Sequence, residues 1–533
     1  MARYIGALEL KTLINEVGKG CNELTLIDVR EPGQFGANHM LHAIPCPYSE
    51  IEIHANRLMP RKSVPIVLVD SGNGTAEKSV KRLIGLGYTD ISILASGNEA
   101  WSEAGFEVFQ GVNVPSKAFG EIVEHQMETP RISAEELHQM MQKNNNIVVI
   151  DGRTPGEHLR MSIPGGISLP NAEMLYRIKD LVPEEETLIV VNCAGRTRSI
   201  IGAQGLINAG LPNPIVALKA GTMGWTLAGY ELEHGSVLSY PEEPSASALA
   251  AASGYADELI SKFDLSIIEL DELREWKADD KRTLFLIDIR TEREYLAGHL
   301  ADAVHAPGGQ LVQATDAWCG VWGARVVLVD DIPNSRSAMA AHWLKQMGWD
   351  VHILDGSLIQ KIAKEKGSKK NQFHQNAEYK KISCLELMKK IENNTVVIVD
   401  VGNSMDYREQ HIPGATWCPR ARISTLQIPR DKDVVVYSDS EERSRLAAID
   451  LSEVTDRTVI LLEAGRQGWL ASDLPVETSP DIPKDSDCID YLFWVSRRHM
   501  GNNAAARAYL QWEENLPAQI RADGDARFTV LTP

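Results

Sequence analysis

The feature of this sequence that most constrains its fold is an internal repeat. A β-rich run that ends in aspartate occurs four times, at Asp28, Asp151, Asp288 and Asp400. In each copy a second hydrophobic run follows, and it leads through a short loop into a helical pattern. Strands that alternate with helices in this way form parallel sheets covered by helices on both faces. The sequence therefore predicts four similar α/β units.

The spacing of the repeats sets the expected domain bounds. We predict units over residues 1–115, 127–236, 262–362 and 378–480, followed by a C-terminal helical extension over 481–533. Two stretches, 236–255 and 363–378, have compositions typical of linkers. Apolar residues at helical spacing in 491–512 predict a helix, which we expect to pack on the fourth unit.

Composition narrows the class of protein. The 533 residues carry a formal net charge of −19, which argues against broad binding to nucleic acid or to an anionic membrane. The seven cysteines show no paired spacing, so neither a disulfide framework nor a structural zinc site is expected. We find no signal-peptide pattern and no run of about 18 apolar residues, and we expect a cytoplasmic protein.

The chemistry is expected in the loop after the second hydrophobic run of the second unit. There the sequence reads Cys193-Ala194-Gly195-Arg196-Thr197-Arg198-Ser199. In open α/β sheets ligands bind beyond the carboxyl ends of the strands, where backbone N–H groups and a helix N-terminus meet. These groups and two arginines should favour the thiolate form, so this cysteine is a candidate nucleophile in a cradle suited to an oxyanion.

The same loop differs in the other three units. Aligned on Cys193, the loops carry Ser71, Asp331 and Ser438 in its place. A hydroxyl cannot form a persulfide, and an aspartate would repel an anionic substrate. We expect these three sites to be inactive.

Several motifs together resemble rhodanese domains. They are the Asp-x-Arg strand end, the His-Ile-Pro-Gly-Ala-like segment, the strand-end cysteine loop and the closing Gly-x-x-Gly-Trp. The resemblance implies four tandem rhodanese-like domains in which a cysteine persulfide carries sulfane sulfur from a donor such as thiosulfate to cyanide, a thiol or a protein acceptor. It implies no cofactor. The six-residue loop is similar to that of sulfur-transferring members, whereas related phosphatases have a longer one.

The resemblance and the loop chemistry together give the expected site. Cys193 is the expected catalytic residue, and Asp151 is expected to be structural. The expected substrate-binding residues are Arg153, Ala194, Gly195, Arg196, Thr197, Arg198 and Ser199. The other cysteines are interpreted as buried core residues, and His39, His299 and His411 as turn-fixing residues.

Two other functions stay open at this point. Three degenerate copies with an acidic surface could form a binding scaffold in which Cys193 stores sulfur or senses redox state. The same cradle could also hold phosphate or arsenate, which would make the protein an oxyanion enzyme.

Overall fold

Four parallel five-stranded sheets organise the chain in the computed structural model. The structure describes residues 2–19, 22–143, 145–359, 364–367, 378–498 and 501–531. Each sheet has the same strand order, which for the first is β1-β5-β4-β2-β3, counted along the chain. All four sheets are parallel throughout. The predicted architecture of four α/β units with a C-terminal helical segment is confirmed.

The first two units are built from the following elements. Unit 1 contains β1 (Arg3–Ile5), α1 (Ala7–Glu16), β2 (Thr25–Asp28), α2 (Pro32–Ala37), β3 (Ile44–Pro45), α3 (Ile51–Leu58), β4 (Ile66–Val69), α4 (Thr75–Gly85), β5 (Ile91–Leu94) and α5 (Gly97–Glu103). Helix α6 (Val114–Met127) follows. Unit 2 contains β6 (Arg131–Ile132), α7 (Ala134–Gln142), β7 (Ile147–Asp151), α8 (Pro155–Arg160), β8 (Ile167–Ser168), α9 (Met174–Leu181), β9 (Leu188–Asn192), α10 (Thr197–Asn208), β10 (Ile215–Leu218) and α11 (Gly221–Leu227).

The second half repeats the plan with small variations. After α12 (Ala246–Lys262), unit 3 contains β11 (Ser266–Ile268), α13 (Leu270–Ala278), β12 (Leu284–Asp288), α14 (Glu292–Ala297), β13 (His299–Leu300), β14 (Val304–His305), α15 (Gly308–Gln313), β15 (Arg325–Val329), α16 (Ser335–Gln346), β16 (Asp350–Leu354) and β17 (Lys364–Glu365). Unit 4 contains β18 (Lys380–Ile382), α17 (Cys384–Glu392), β19 (Val396–Asp400), α18 (Ser404–Glu409), β20 (Thr416–Trp417), β21 (Asp433–Tyr437), α19 (Glu441–Val454), β22 (Val459–Leu462) and α20 (Gly465–Leu470). Helices α21 (Phe493–Arg497) and α22 (Asn503–Asp523) end the chain.

The central strands of each sheet are buried on both faces. In β4 and β9, for example, all residues from Ile66 to Val69 and from Ile189 to Asn192 are buried. Such strands are continuous hydrophobic runs because helices cover both sides of a parallel sheet. This burial is why the repeat could be read from the sequence.

The stretch 236–255 is not simply a linker, as its composition suggested. Its second half belongs to α12, which Ser245 caps by accepting a hydrogen bond from the Ala248 backbone N–H. The small side chains of Ala248, Ala252 and Ala256 are buried, and the helix packs between α9 and α16. Alanine is the best helix former, so an Ala-rich stretch can join units 2 and 3 as a rigid helix. The second expected linker, 363–378, lies mostly outside the described residues.

The C-terminal extension packs on the fourth unit only in its first part, where Asp485 and Asp490 contact Arg408 and Ser404. Helix α22 packs instead along α6, the helix between units 1 and 2. Leu516 and Ile520 are buried there against Phe109 and Val114. This placement brings the end of the chain to the loop of unit 2 that carries Cys193.

Buried ion pairs join units that are distant in sequence. Arg420 of unit 4 is fully buried and contacts Glu52 of unit 1 at 2.5 and 2.8 Å. It also contacts Asp450 at 2.9 Å and lies over the ring of Tyr48.

No helix within the described ranges has both the length and the apolar character needed to cross a bilayer.

Candidate active site

Cys193 lies at the carboxyl end of β9, where the chain curves into α10. Its Sγ is 3.6 Å from the Ser199 Oγ, and the backbone N–H groups of Gly195 and Ser199 hydrogen-bond to the sulfur. The residue is 2% exposed, yet it lines a cavity of about 240 Å³ together with Ala194, Gly195, Arg196, Thr197 and Arg198. The structure therefore brings the predicted loop residues together around one hollow.

The expected acidification of this thiol is not seen in the structure without a substrate. Burial raises the pKa of Cys193 above its ordinary value, and this effect outweighs the nearby Arg198 and the hydrogen bonds from Ser199 and Gly195. The prediction neglected desolvation, which opposes ionisation when a sulfur is almost fully enclosed. Burial therefore favours the thiol form of Cys193 over the thiolate.

Arg196 is held by carboxylates from outside its own unit. Its guanidinium contacts Glu121 at 2.6 and 2.7 Å and Glu124 at 2.5 Å, both on α6, and Glu514 of α22 at 3.2 Å. A cation at a helix N-terminus opposes the helix dipole and needs a compensating anion. Protein side chains provide that anion here, and they fix this wall of the cavity.

Arg198 is paired within unit 2. Its two terminal nitrogens contact both carboxylate oxygens of Glu157 at 2.7 and 2.8 Å. Burial would raise the pKa of Glu157, but the hydrogen bonds from Arg198 lower it to about 2. The bidentate pair holds the guanidinium beside the sulfur in a fixed orientation.

Asp151 and Arg153 lie behind the loop rather than in the cavity. The Arg153 guanidinium contacts Asp151 at 2.6 Å and donates to the Met161 carbonyl at 2.6 Å. His158 Nδ1 is 3.2 Å from the same carboxylate. Burial would raise the pKa of Asp151, but the hydrogen bonds from Arg153 and His158 outweigh it and lower the pKa. Arg153, an expected substrate-binding residue, therefore does not line the cavity, and the structural role of Asp151 stays a prediction.

The far wall of the cavity comes from outside unit 2. It includes Lys117 of α6, Gln313 of α15, and Tyr509 and Glu513 of α22. A Cβ added at Gly195 would lie 3.1 Å from the Glu513 Oε2, so this wall is in close contact with the loop. The sequence does not point to these residues, because it does not show that α6, α15 and α22 meet in front of the Cys193 loop.

The residue before the loop differs between the units in a way that affects the loop N–H groups. In unit 1 the carboxylate of Asp70 accepts from the backbone N–H of Gly72 and Ala76. In unit 3 the carboxyl group of Asp330 accepts from the backbone N–H groups of Asp331 and of Arg336 and Ser337 in the first turn of α16. Unit 2 has the neutral Asn192 at this position. The loops of units 1 and 3 therefore have a carboxyl group that accepts from backbone N–H groups, whereas unit 2 has an amide side chain at this position.

The repeated histidines and the other cysteines that the structure describes do not line the cavity. Cys46, Cys319, Cys418 and Cys488 are buried and Cys384 is half-buried, whereas Cys21 lies outside the described residues. The repeated histidines, His39, His299 and His411, are also buried. In each of them Nδ1 contacts the backbone carbonyl of an aromatic residue four positions earlier in the chain.

Comparison with known proteins agrees with this geometry. A profile of the Rhodanese-like domain matches residues 9–104, 133–228, 269–360 and 383–472. The chain belongs to the rhodanese-like family. The crystal structure of a thiosulfate sulfurtransferase from Pseudomonas aeruginosa is 37% identical, with a TM-score of 0.91, and the similarity covers 99% of this chain and 100% of that one.

A curated relative matches a single stretch of the chain. An uncharacterized Synechocystis protein, slr1261, is 29% identical over 94 residues, which is 17% of this chain. The chain spans about half the length of that relative, 52%. The four rhodanese-like matches leave out residues 105–132 and 473–533, so Lys117, Tyr509 and Glu513 lie outside the family segments.

Proposed function

We propose that this protein is a sulfurtransferase that moves sulfane sulfur from an anionic donor such as thiosulfate to a thiophilic acceptor, cyanide or a thiol, through a persulfide on Cys193. The observation that carries the proposal is the strand-end sulfur in a cavity beside Arg198, on a loop whose residues 194–199 would bind the donor. Membership of the rhodanese-like family and the similarity to a thiosulfate sulfurtransferase support it.

The reaction is a double displacement. The sulfur of Cys193 attacks the outer sulfur of thiosulfate, the S–S bond of the donor breaks, and its electron pair leaves with sulfite. The thiol proton leaves with that sulfite as hydrogen sulfite, and an anionic persulfide stays on the enzyme. Cyanide then attacks the outer sulfur, thiocyanate leaves, and the Cys193 thiolate takes up a proton from the solvent.

Enclosure of the site suits this chemistry. A persulfide anion on Cys193 would lie within reach of the N–H groups that already contact the sulfur and beside the Arg198–Glu157 pair. Donors fixed in position stabilise a developing anion more strongly in a cavity than in water. The cytoplasmic location expected from the sequence stays a prediction.

Cys193→Ser tests the function. The wild-type protein should gain one sulfur atom on Cys193 after thiosulfate treatment and should form thiocyanate with cyanide, whereas the variant should do neither. Mass spectrometry locates the added sulfur, and Cys319→Ser serves as a control for a buried cysteine outside the site. Unchanged thiocyanate formation in Cys193→Ser would refute the proposal.

A further inference from the structure

Two buried ionisable side chains face the cavity from outside the catalytic unit. Lys117 is 5% exposed and Glu513 is 3% exposed, and both line the cavity in front of Cys193. They come from α6 and α22, and both lie outside the segments that match the rhodanese-like family. The loop of unit 2 alone therefore does not make up the site.

Glu513 has an oxygen with no partner. Its Oε1 accepts a hydrogen bond from the Tyr509 hydroxyl at 3.0 Å, while Oε2 has no hydrogen-bond partner among the residues that the structure describes. That oxygen lies against Gly195 of the catalytic loop. A buried carboxylate oxygen without a partner is costly, so a proton or an entering group must satisfy it.

Lys117 is also poorly compensated. Its Nζ donates to the Val112 carbonyl at 2.7 Å and lies 5.3 and 4.9 Å from the ring centroids of Tyr509 and Trp512. Neither contact is an ion pair; Glu513 is the carboxylate that acts most strongly on Lys117, and burial outweighs it and lowers the pKa of the lysine.

We propose that Lys117 and Glu513 form a proton-linked binding element for the anionic sulfur donor, so that the donor takes up a proton from solvent when it enters the Cys193 cavity. This inference rests on the proposed function and names the two side chains whose protonation responds to the charge of the donor. An anion next to Lys117 favours the ammonium form, and the same anion next to Glu513 favours the carboxylic acid. Both responses add protons.

The free protein is poised for this response. Burial lowers the pKa of Lys117 and raises that of Glu513, so each is shifted toward its neutral form before the donor binds. Linkage then requires that donor affinity falls as the pH rises, because each lost proton weakens the attraction for an anion. The other charged or titratable groups around the pair are Arg196, Arg198, Arg498, Tyr509, Glu121, Glu157 and Asp316.

Calorimetry on the full chain tests the proposal. Thiosulfate is titrated into Cys193→Ser, which binds the donor without reacting, in two buffers that lack sulfonate and phosphate and differ in ionisation enthalpy. The difference in measured enthalpy gives the number of protons taken up, and we expect roughly half a proton or more per thiosulfate near pH 8. Adding Glu513→Gln or Lys117→Met should reduce that number, whereas adding Arg507→Gln, an exposed charge on α22, should leave it unchanged.

The outcomes separate the two proposals. Absence of binding, binding without proton uptake, or full uptake in a folded Glu513→Gln or Lys117→Met background would overturn the inference. If one of these variants does not fold, the other decides. The sulfurtransferase proposal fails on a different readout, the absence of a Cys193 persulfide in the wild-type protein after thiosulfate treatment.

Discussion

The glycine that opens α11 offers a direct test of how precisely the catalytic loop must be placed. Gly221 has φ +54°, and a Cβ there would lie 2.2 Å from the Cys193 carbonyl oxygen. The backbone N–H of Thr222 donates to that same oxygen at 2.8 Å. In Gly221→Ala the loop must therefore move away from α11.

The size of the effect follows from these distances. Restoring a tolerable contact of 3.0 Å requires a shift of roughly 0.8 Å, and a misplacement near 1 Å can cost about 100-fold in rate. The left-handed conformation adds about 1–2 kcal/mol of strain for alanine. We expect Gly221→Ala to lower kcat/KM for thiosulfate about 100-fold and to destabilise the protein by about 1–3 kcal/mol.

Unit 4 supplies a matched control for this substitution. Gly465 has φ +55°, and its Cβ would lie 2.2 Å from the carbonyl oxygen of Ser438, the residue that stands in the place of Cys193. Gly465→Ala should cost similar stability in urea unfolding but leave thiocyanate formation unchanged. The reasoning is refuted if both variants lose activity equally, or if Gly221→Ala keeps its kcat/KM.

Two further predictions concern the ionisation of the site. Asn192→Asp is a nearly isosteric change, and the new carboxylate should accept from backbone N–H groups as Asp70 and Asp330 do. Together with the nearby Asp151 it should repel the anionic donor, so thiosulfate turnover should fall at least 10-fold at neutral pH. Wild-type turnover in the folded variant would contradict this expectation. Because burial raises the pKa of Cys193, the rate of its alkylation by iodoacetamide in the absence of a donor should keep rising as the pH increases beyond 9. Peptide mass spectrometry measures this rate. A rate that levels off near neutral pH would show that the thiol is already ionised.

The fold and the position of the Cys193 loop at a cavity could be predicted because their signals are local. Each strand is a short hydrophobic run, and its end is marked by a residue such as Asp151 or Asn192 whose position repeats along the chain. Cys193 could be recognised as a candidate nucleophile because it directly follows a strand and begins a short segment that contains two arginines. Such patterns depend only on residues that are close in sequence, so a pattern found in one unit can be located in the others.

The far wall of the site could not be predicted because it depends on packing between distant segments. Nothing near Glu513 in the sequence indicates that α22 packs along α6, a helix that is distant in sequence. The helical spacing of Leu516 and Ile520 shows an apolar face but not which surface covers it. The raised pKa of Cys193 could not be predicted either, because it comes from the burial of the sulfur in the folded chain.

The degenerate units show what distinguishes a reactive loop from a structural one. Units 1 and 3 keep the curve of the loop, but the carboxylates of Asp70 and Asp330 accept from its N–H groups. A loop that has satisfied its donors internally is stable and has little to offer an external anion. In unit 2 the residue before Cys193 is the neutral Asn192, and Lys117 and Glu513 lie on the opposite wall of the cavity. Loss of the cysteine is therefore not the only change that separates units 1 and 3 from unit 2, and we expect that a cysteine at position 71 or 331 alone would not restore an anion site.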